Sequence, residues 1–409
     1  MVSDFYPPFL GGVEVAVRSL SQELIARGHQ VAVATLAAPD LPPSETLDGV
    51  PVHRVCSSTQ RVHRLFAPGG RPWAPPVPDP EAVVGLGRIL AEYRPDIVHG
   101  HDWLARSVLP HKLARGFSLI MSLHYYTLTC PKKNLMYMGR EVCAGPALRK
   151  CLACAGEHYG RPKGAAVAVG QLAFGRAEAA LVDLFLPVSR ATARASGLGS
   201  KGPAFTVIPN LMPPADASGA HDARLRELPA EPFLLFVGDV RGDKGAGVLL
   251  ESYRSLRDPP PLVLVGNATP ETPTSLPSRA MFLREWPNAV VRAAMERCLA
   301  LVVPSVWAEP FGLVVVESLA AGRPVVASRS GGIPEIVRDG HEGLLVPPGD
   351  AAALTVALRR IVTDSALREA MAARAADRAR QFHAEVVLPL VEEAYHQVLA
   401  GRRRSHRNH

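Results

Sequence analysis

Seven residues separate Glu309 from Glu317 in the run Pro304-Ser-Val-Trp-Ala-Glu309-Pro-Phe-Gly-Leu-Val-Val-Val-Glu317. The apolar stretch ending near Val303 reads as a strand, Pro310-Phe311-Gly312 as a turn, and the segment from about Gly312 as a helix. A helix N-terminus turns unpaired N–H groups and the positive end of its dipole toward a ligand, which suits a diphosphate. Glu309, in the loop, is placed to accept hydrogen bonds from sugar hydroxyls. Glu317, more than one turn into the helix, is placed to accept them from a ribose. Two solvated glutamates at a helix start are common, but the strand, turn and helix around this pair argue against that plainer reading.

Three further loops carry candidate groups. Gly11-Gly12 precedes the first helix, where missing side chains let backbone N–H groups approach a phosphate; alone, such a pair is a turn. In Asp239-Val-Arg241-Gly-Asp-Lys244-Gly245 the lysine falls at a helix start and offers a cation to a phosphate. An exposed, solvated lysine is the competing reading. His124 ends the run Ser118–Leu123; a lone histidine is more often structural, and only its strand-end position raises the functional reading. Cys130, Cys143, Cys151 and Cys154 supply four soft ligands with one C-x2-C pair, which reads as a closed structural zinc site. Ordinary reduced thiols, or a redox pair at Cys151 and Cys154, are the alternatives.

These residues need elements to hold them. Val31–Leu36, Asp96–His99, Ser118–Leu123 and Leu184–Val188 are short apolar runs that read as buried parallel strands. Phe233–Val237, Pro261–Val265, Leu299–Val303 and Pro324–Ala327 repeat the pattern. Helical stripes alternate with them; Val13, Val17, Leu20 and Leu24 form one, ended by Gly28. Alternating strands and helices imply an α/β fold with parallel sheets covered on both faces, and two series imply two doubly wound, Rossmann-like domains. Ligands of such sheets sit beyond the carboxyl ends of the strands, where the loops above lie. The boundaries expected are 1–205 and 206–382, with a cysteine-bearing insertion at about 130–158. A helix over 383–400 is expected to pack back toward the N-terminal domain, followed by a disordered basic tail at 401–409. Only Met1 and Val2 precede the first loop where a full strand belongs, which suggests a start further upstream.

The bulk numbers agree. A chain of 409 residues exceeds one ordinary core, and 47% apolar with 20% charged residues is a normal folded composition. The net charge of +7 favours anionic partners. No basic, apolar leader opens the chain, and the most apolar internal stretch, 164–174, is shorter than the roughly 20 residues of a spanning helix. A cytoplasmic location is expected. Arg54, Arg61, Arg64, Arg71 and the tail are candidates for peripheral contact with an anionic inner membrane face, or simply a solvated basic surface.

The chain resembles the family-4 retaining glycosyltransferases of the GT-B fold over nearly its whole length. The resemblance rests on Gly11-Gly12-Val13-Glu14, His124, Val207-Ile-Pro-Asn210, Lys244-Gly245, Glu309-x7-Glu317, Gly322-Arg-Pro-Val-Val and Gly331-Gly332-Ile-Pro-Glu335. It implies two Rossmann-like domains facing a cleft, and transfer of a sugar from a nucleotide-diphosphate donor to an acceptor hydroxyl on a glycan, lipid or small molecule. By the resemblance, Glu309 would hold the transferred sugar, Glu317 the donor ribose, and His124 would sit beside the reacting sugar. Lys244 would neutralise the diphosphate, assisted by Gly11, Gly12 and the backbone at Phe311, Gly312 and Leu313. The chemistry would need no cofactor, with fixed donors stabilising the leaving phosphate in place of a metal. Two departures stand out. Asp239 occupies a position where the family usually has arginine, so Arg241 is expected to substitute; and the usual Asn-Gly is Asn210-Leu211. A sugar-nucleotide epimerase on the same fold is the alternative enzyme. A zinc-containing nucleic-acid binder would require basic residues interleaved with aromatics, and no such stripe exists, so no nucleic-acid partner is expected.

Overall fold

The computed structural model describes residues 1–9, 11–61, 73–213 and 217–407. The chain forms two compact units. One comprises Met1–Met138, Cys143–Pro213 and Ala384–His409; the other comprises Gly139–Val142 and Pro214–His383.

In the first unit, β1 (Val33–Leu36), β2 (Ser44–Leu47), β3 (Val50–Val55), β4 (Ile97–Gly100), β5 (Ser118–Leu123) and β6 (Leu184–Pro187) line up as β2-β3-β1 and β4-β5-β6. The strip Met1–Ser3 joins the two halves. Val2 bridges Ala34 on one side and Gly100 on the other, both in parallel, and its N–H donates to the carbonyl of His99 at 2.8 Å. Three residues therefore fill the central strand position. Only β2 runs antiparallel, in a hairpin with β3. Strands β1, β5 and β6 are buried at every position, as parallel strands covered on both faces must be.

The second unit is a six-stranded, wholly parallel sheet. Its strands are β7 (Leu234–Val237), β8 (Leu262–Gly266), β9 (Ala280–Arg284), β10 (Ala300–Val303), β11 (Val325–Ser328) and β12 (Gly343–Val346), ordered β9-β8-β7-β10-β11-β12. The order reverses between β7 and β10. A sheet wound this way opens a crevice at that point, outside the carboxyl ends of those two strands.

Three expectations need correction. The segment 206–213, expected in the second domain, belongs to the first unit, where Thr206 N–H donates to Phe185 O at 2.9 Å and Ile208 N–H to Pro187 O at 3.1 Å beside β6. The basic tail does not begin where the last helix was expected to end: the helix Ala384–Arg407 continues through it. That helix lays Val387, Leu388 and Val391 on Leu20, Leu24 and Ile120 of the same unit. Arg54 does not face solvent. Its side chain is 1% exposed, paired with Glu45 and bonded to Pro42 O at 2.8 Å. Arg61 is paired with Glu81, while Arg64 and Arg71 lie outside the described residues. No helix among the described residues is long and apolar enough to cross a membrane.

A buried guanidinium locks the long helix Arg161–Leu181 to the sheet. Arg106 donates to Glu178 Oε2 at 2.8 Å, Gln171 Oε1 at 2.9 Å, Pro76 O at 2.6 Å and Thr127 O at 3.1 Å. Burial pushes the Glu178 carboxyl up, and the Arg106 charge pulls against it. Removing one member of such a pair strands the other without solvent. Glu178→Ala is expected to destabilise the first unit by about 3–5 kcal/mol. A urea titration followed by circular dichroism checks this; an unchanged midpoint would mean the carbonyl partners suffice.

Candidate functional site

In the second unit, the loop after β7 and the loop after β10 meet at the reversal point. Lys244 Nζ donates to Glu309 Oε1 at 2.7 Å, and Ser305 Oγ donates to the same oxygen at 2.8 Å. Lys244 also stands 4.7 Å from the centre of the Trp307 ring, a cation–π contact. Burial acts to raise the Glu309 pKa. The Lys244 charge and the hydrogen bonds from Lys244 and Ser305 outweigh it and hold the carboxyl below its ordinary value. Glu309 is therefore a buried carboxylate with one oxygen saturated.

Backbone contacts fix this arrangement. The N–H groups of Val306 and Trp307 donate to Asp243 O at 2.9 and 3.2 Å. Gly245, at φ +76°, leaves no room for a side chain, since a Cβ there would lie 1.9 Å from Pro304 O. The loop after β11 closes from the other side: Gly332 N–H donates to Glu309 O at 2.7 Å, and Ser330 Oγ to Trp307 O at 2.7 Å. Gly331, at φ +56°, would place a Cβ 2.0 Å from Glu309 O. Three strand ends thus clamp one loop.

The helix Leu313–Ala320 follows Glu309 directly, with Gly312 (φ +106°) as its N-cap and no side chain capping it. Its first-turn N–H groups are left without an intrahelical partner, as at any helix start. Phe311 turns its ring inward onto Phe382, centroids 5.6 Å apart, so only its backbone borders the loop. Glu317 lies buried on this helix. Burial raises its pKa, countered in part by a hydrogen bond from Asn288 Nδ2 at 3.2 Å to Oε1 and by Arg292. Arg241 makes a bidentate pair with Asp243, at 2.6 and 2.8 Å, and Asp239 accepts from Asn267 Nδ2 at 3.0 Å. The arginine expected to substitute at the loop is thus already matched by a carboxylate.

The first unit presents its own cluster at the equivalent strand ends. His124 follows β5, and its Nε2 lies 3.0 Å from His101 Nδ1, with the rings stacked at 5.3 Å. His99 lies 4.3 Å from His101, and its ring nitrogens reach Tyr395 Oη at 2.9 Å and Ser122 Oγ at 2.8 Å. Burial pulls His124 down to about 4, against the Asp102 charge and a side-chain hydrogen bond with Asn210 that favours the protonated ring. His99 and His101 are lowered well below their ordinary value, also mainly by burial. All three imidazoles are neutral at neutral pH. Beside them, Lys133 bridges Asp4 at 3.0 Å and Asp102 at 2.6 Å and lies 4.3 Å from the centre of the Trp103 ring. Burial and the Asp102 charge push Asp4 up to about 7. Gly11 caps the helix Gly12–Ala26 with extended backbone and no side-chain cap. Asp4, His101, Asp102 and Lys133 were not singled out from the sequence. The signal was available in His99-Gly-His101-Asp102, which follows directly on an apolar run.

The zinc expectation finds no support here. All four cysteines line one small cavity, and all four are free thiols. Among the described residues no three His, Cys, Asp or Glu side chains stand as a metal-holding group. Cys143 Sγ donates to Gly145 O at 3.4 Å and Cys154 Sγ to Met136 O at 3.6 Å, and Met138 N–H donates to Cys154 Sγ at 3.3 Å. Burial raises the Cys130 and Cys151 thiols, and backbone hydrogen bonds pull against it.

With this geometry in view, comparison with known proteins is direct. Residues 11–211 match the family model described as glycosyl transferase 4-like domain, and residues 220–378 the one described as glycosyl transferases group 1. A D-inositol 3-phosphate glycosyltransferase of Catenulispora acidiphila is 30% identical over 420 aligned positions, covering 96% of this chain and 92% of that one. A glycogen synthase of Mycobacterium tuberculosis is 29% identical, covering 91% and 88%. Among solved structures, Anabaena HepE in complex with UDP-glucose superposes with a TM-score of 0.67 at 17% identity, covering 97% and 99%. The chain belongs to the group 1, family-4-like glycosyltransferases. Its two Rossmann-like units are those of the GT-B fold, and it is an enzyme of the glycosyltransferase type.

The Lys244–Glu309 pair makes a pH prediction. A carboxyl held below its ordinary value of 4.5 contributes stability that is complete above that value and fades as pH falls through the lower one. In Lys244→Met burial is unopposed by the cation, so the carboxyl shifts upward and the sign reverses. The second unit is expected to lose about 1.5–3 kcal/mol at pH 7 and to recover part of it at pH 5. Urea midpoints of both proteins at the two pH values test this; parallel pH profiles would refute it.

Proposed function

We propose that this enzyme transfers a sugar from a nucleotide-diphosphate donor to an acceptor hydroxyl with retention of configuration. The carrying observation is the Lys244–Glu309 pair beside the uncapped start of the helix Leu313–Ala320. The diphosphate would lie at that helix start, within reach of Lys244 and the N–H groups of Phe311, Gly312 and Leu313. Lys244 would then exchange a carboxylate for phosphate oxygens, releasing Glu309 to accept from hydroxyls of the transferred sugar. Glu317 would accept from the ribose hydroxyls, and Arg241 would reach the diphosphate only by leaving Asp243. The complex of HepE with UDP-glucose supports a donor of this class on this fold.

Gly11 and Gly12 of the first unit are proposed to offer backbone N–H groups to a phosphate, and neutral His124 to contact a sugar. In the reaction the bond from the anomeric carbon to the diphosphate oxygen breaks, leaving an oxocarbenium-like sugar. The acceptor oxygen bonds to that carbon on the same face, and its proton passes to the departing diphosphate. The cations and N–H groups around the phosphates lower the cost of that departing charge. The chemistry is proposed to proceed without a cofactor. The named relatives act on an inositol phosphate and on glycogen, so a polyhydroxylated acceptor is the class proposed.

Glu309→Gln is expected to abolish transfer while nucleotide diphosphate still binds, because its proposed contacts are to the sugar. Glu317→Ala is expected to weaken nucleotide-diphosphate binding by about 1.5–3 kcal/mol. Calorimetry with UDP, ADP and GDP, beside a transfer assay, separates the two roles. Full turnover by Glu309→Gln, or an unchanged nucleotide Kd in Glu317→Ala, would overturn the respective assignment.

A further inference from the structure

A groove of about 340 Å³ opens in the first unit, apart from the strand ends that carry the histidines and aspartates. That is within the range of small-molecule sites, roughly 300–1,000 Å³. Its walls are largely apolar: Leu128, Pro146, Leu148, Leu172, Leu198 and Pro203. Four polar side chains interrupt them, Thr129, Gln171, Ser196 and Arg176, of which Thr129 Oγ1 donates to Ala195 O at 3.2 Å.

Two of these are buried and unsatisfied. Gln171 is 1% exposed and Ser196 3% exposed. Among the described residues, Gln171 Nε2 and Ser196 Oγ have no hydrogen-bond partner. Buried polar groups are nearly always paired, so two orphans on one groove point to a ligand that pairs them. The orientation of the Gln171 amide is fixed by chemistry. Its oxygen faces the Arg106 guanidinium, which has only donors to give, so the NH2 group must be the free end. Arg176 adds an exposed guanidinium on the same wall. The groove therefore offers a cation, an amide donor and a hydroxyl against an apolar lining.

We propose that this groove binds a small amphiphile whose oxyanion head, a phosphate monoester or carboxylate, meets Gln171, Ser196 and Arg176 while its hydrocarbon body lies on the leucines and prolines. An acceptor-rich anion satisfies donors that a neutral alcohol or an alkane leaves unmet. A bare anion, in turn, leaves the apolar wall in water. Both parts are needed.

The test is calorimetry on the full chain, without sugar donor, using octyl phosphate, octanoate, octanol and inorganic phosphate below micellar concentrations. Octyl phosphate and octanoate are expected to bind, and octanol and inorganic phosphate to bind at least about tenfold more weakly, the value of one charged hydrogen bond or a few buried methylenes. Arg176→Ala is expected to weaken octyl phosphate about tenfold, with partial rescue by Arg176→Lys. Ser196→Ala is expected to weaken it too, while raising the Tm of the free protein, because the mutation removes an unpaired buried hydroxyl. Octanol binding as tightly as octyl phosphate, inorganic phosphate binding as tightly, or unaltered affinity in both alanine variants would each overturn the proposal. Since no donor or turnover is involved, such a result would leave the transfer reading standing.

Discussion

The second unit is organised around a single buried carboxylate that must be kept charged. Glu309 sits where the sheet reverses, and low-dielectric burial alone pushes its pKa up. Lys244 and Ser305 prevent that, and everything nearby serves to bring them within reach. Two glycines permit backbone contacts that a methyl group would forbid: Gly245 against the Pro304 carbonyl, and Gly331 against Glu309 itself. The carbonyl of Asp243 then holds the Glu309 loop from below, and the β11 loop holds it from the side. The block Gly331-Gly332 is thus part of the same device as Glu309, although it is more than twenty residues distant in the chain.

The first unit solves a related problem with other groups. Its sheet has the same reversal, now between the Met1–Ser3 strip and β4, and polar residues again crowd the strand ends. Here the carboxylates Asp4 and Asp102 share one lysine, and the neighbouring imidazoles are kept neutral by burial. Neutral imidazoles a hydrogen bond apart fix each other's tautomer, so His101 decides which nitrogen of His124 carries hydrogen. The strand-end histidine is therefore set by a partner 23 residues earlier.

Much of this was legible before the structure. Strands buried on both faces announce themselves as apolar runs, and eight of the twelve were located in that way. The others were hidden for physical reasons. β2 is a half-exposed edge strand without an apolar run, the apolar run of β9 is only half-buried, β3 carries a proline and an inward-turned arginine, and β12 is a four-residue strand that opens on Gly343. The Glu309 and Glu317 positions were readable because strand, turn and helix signals enclosed them. Lys133 was not, since it sits at φ +64° in an irregular segment and reaches its partners across 31 and 129 residues of chain. The cysteine spacing reports ligand supply alone, and among the described residues no metal-holding group supports the zinc read from it.

Charge matching at the reversal point also bears on how an anion finds the site. The chain carries a net +7, yet around this loop Arg241 is matched by Asp243 and Lys244 by Glu309, with Asp239 adjacent. Viewed from beyond a Debye length of ~8 Å, such neutralised pairs cast little field. A polyanion arriving by diffusion is neither drawn in nor repelled until it touches. If an anion binds here as proposed, these two pairs add little long-range steering to its capture, unlike an open cationic funnel.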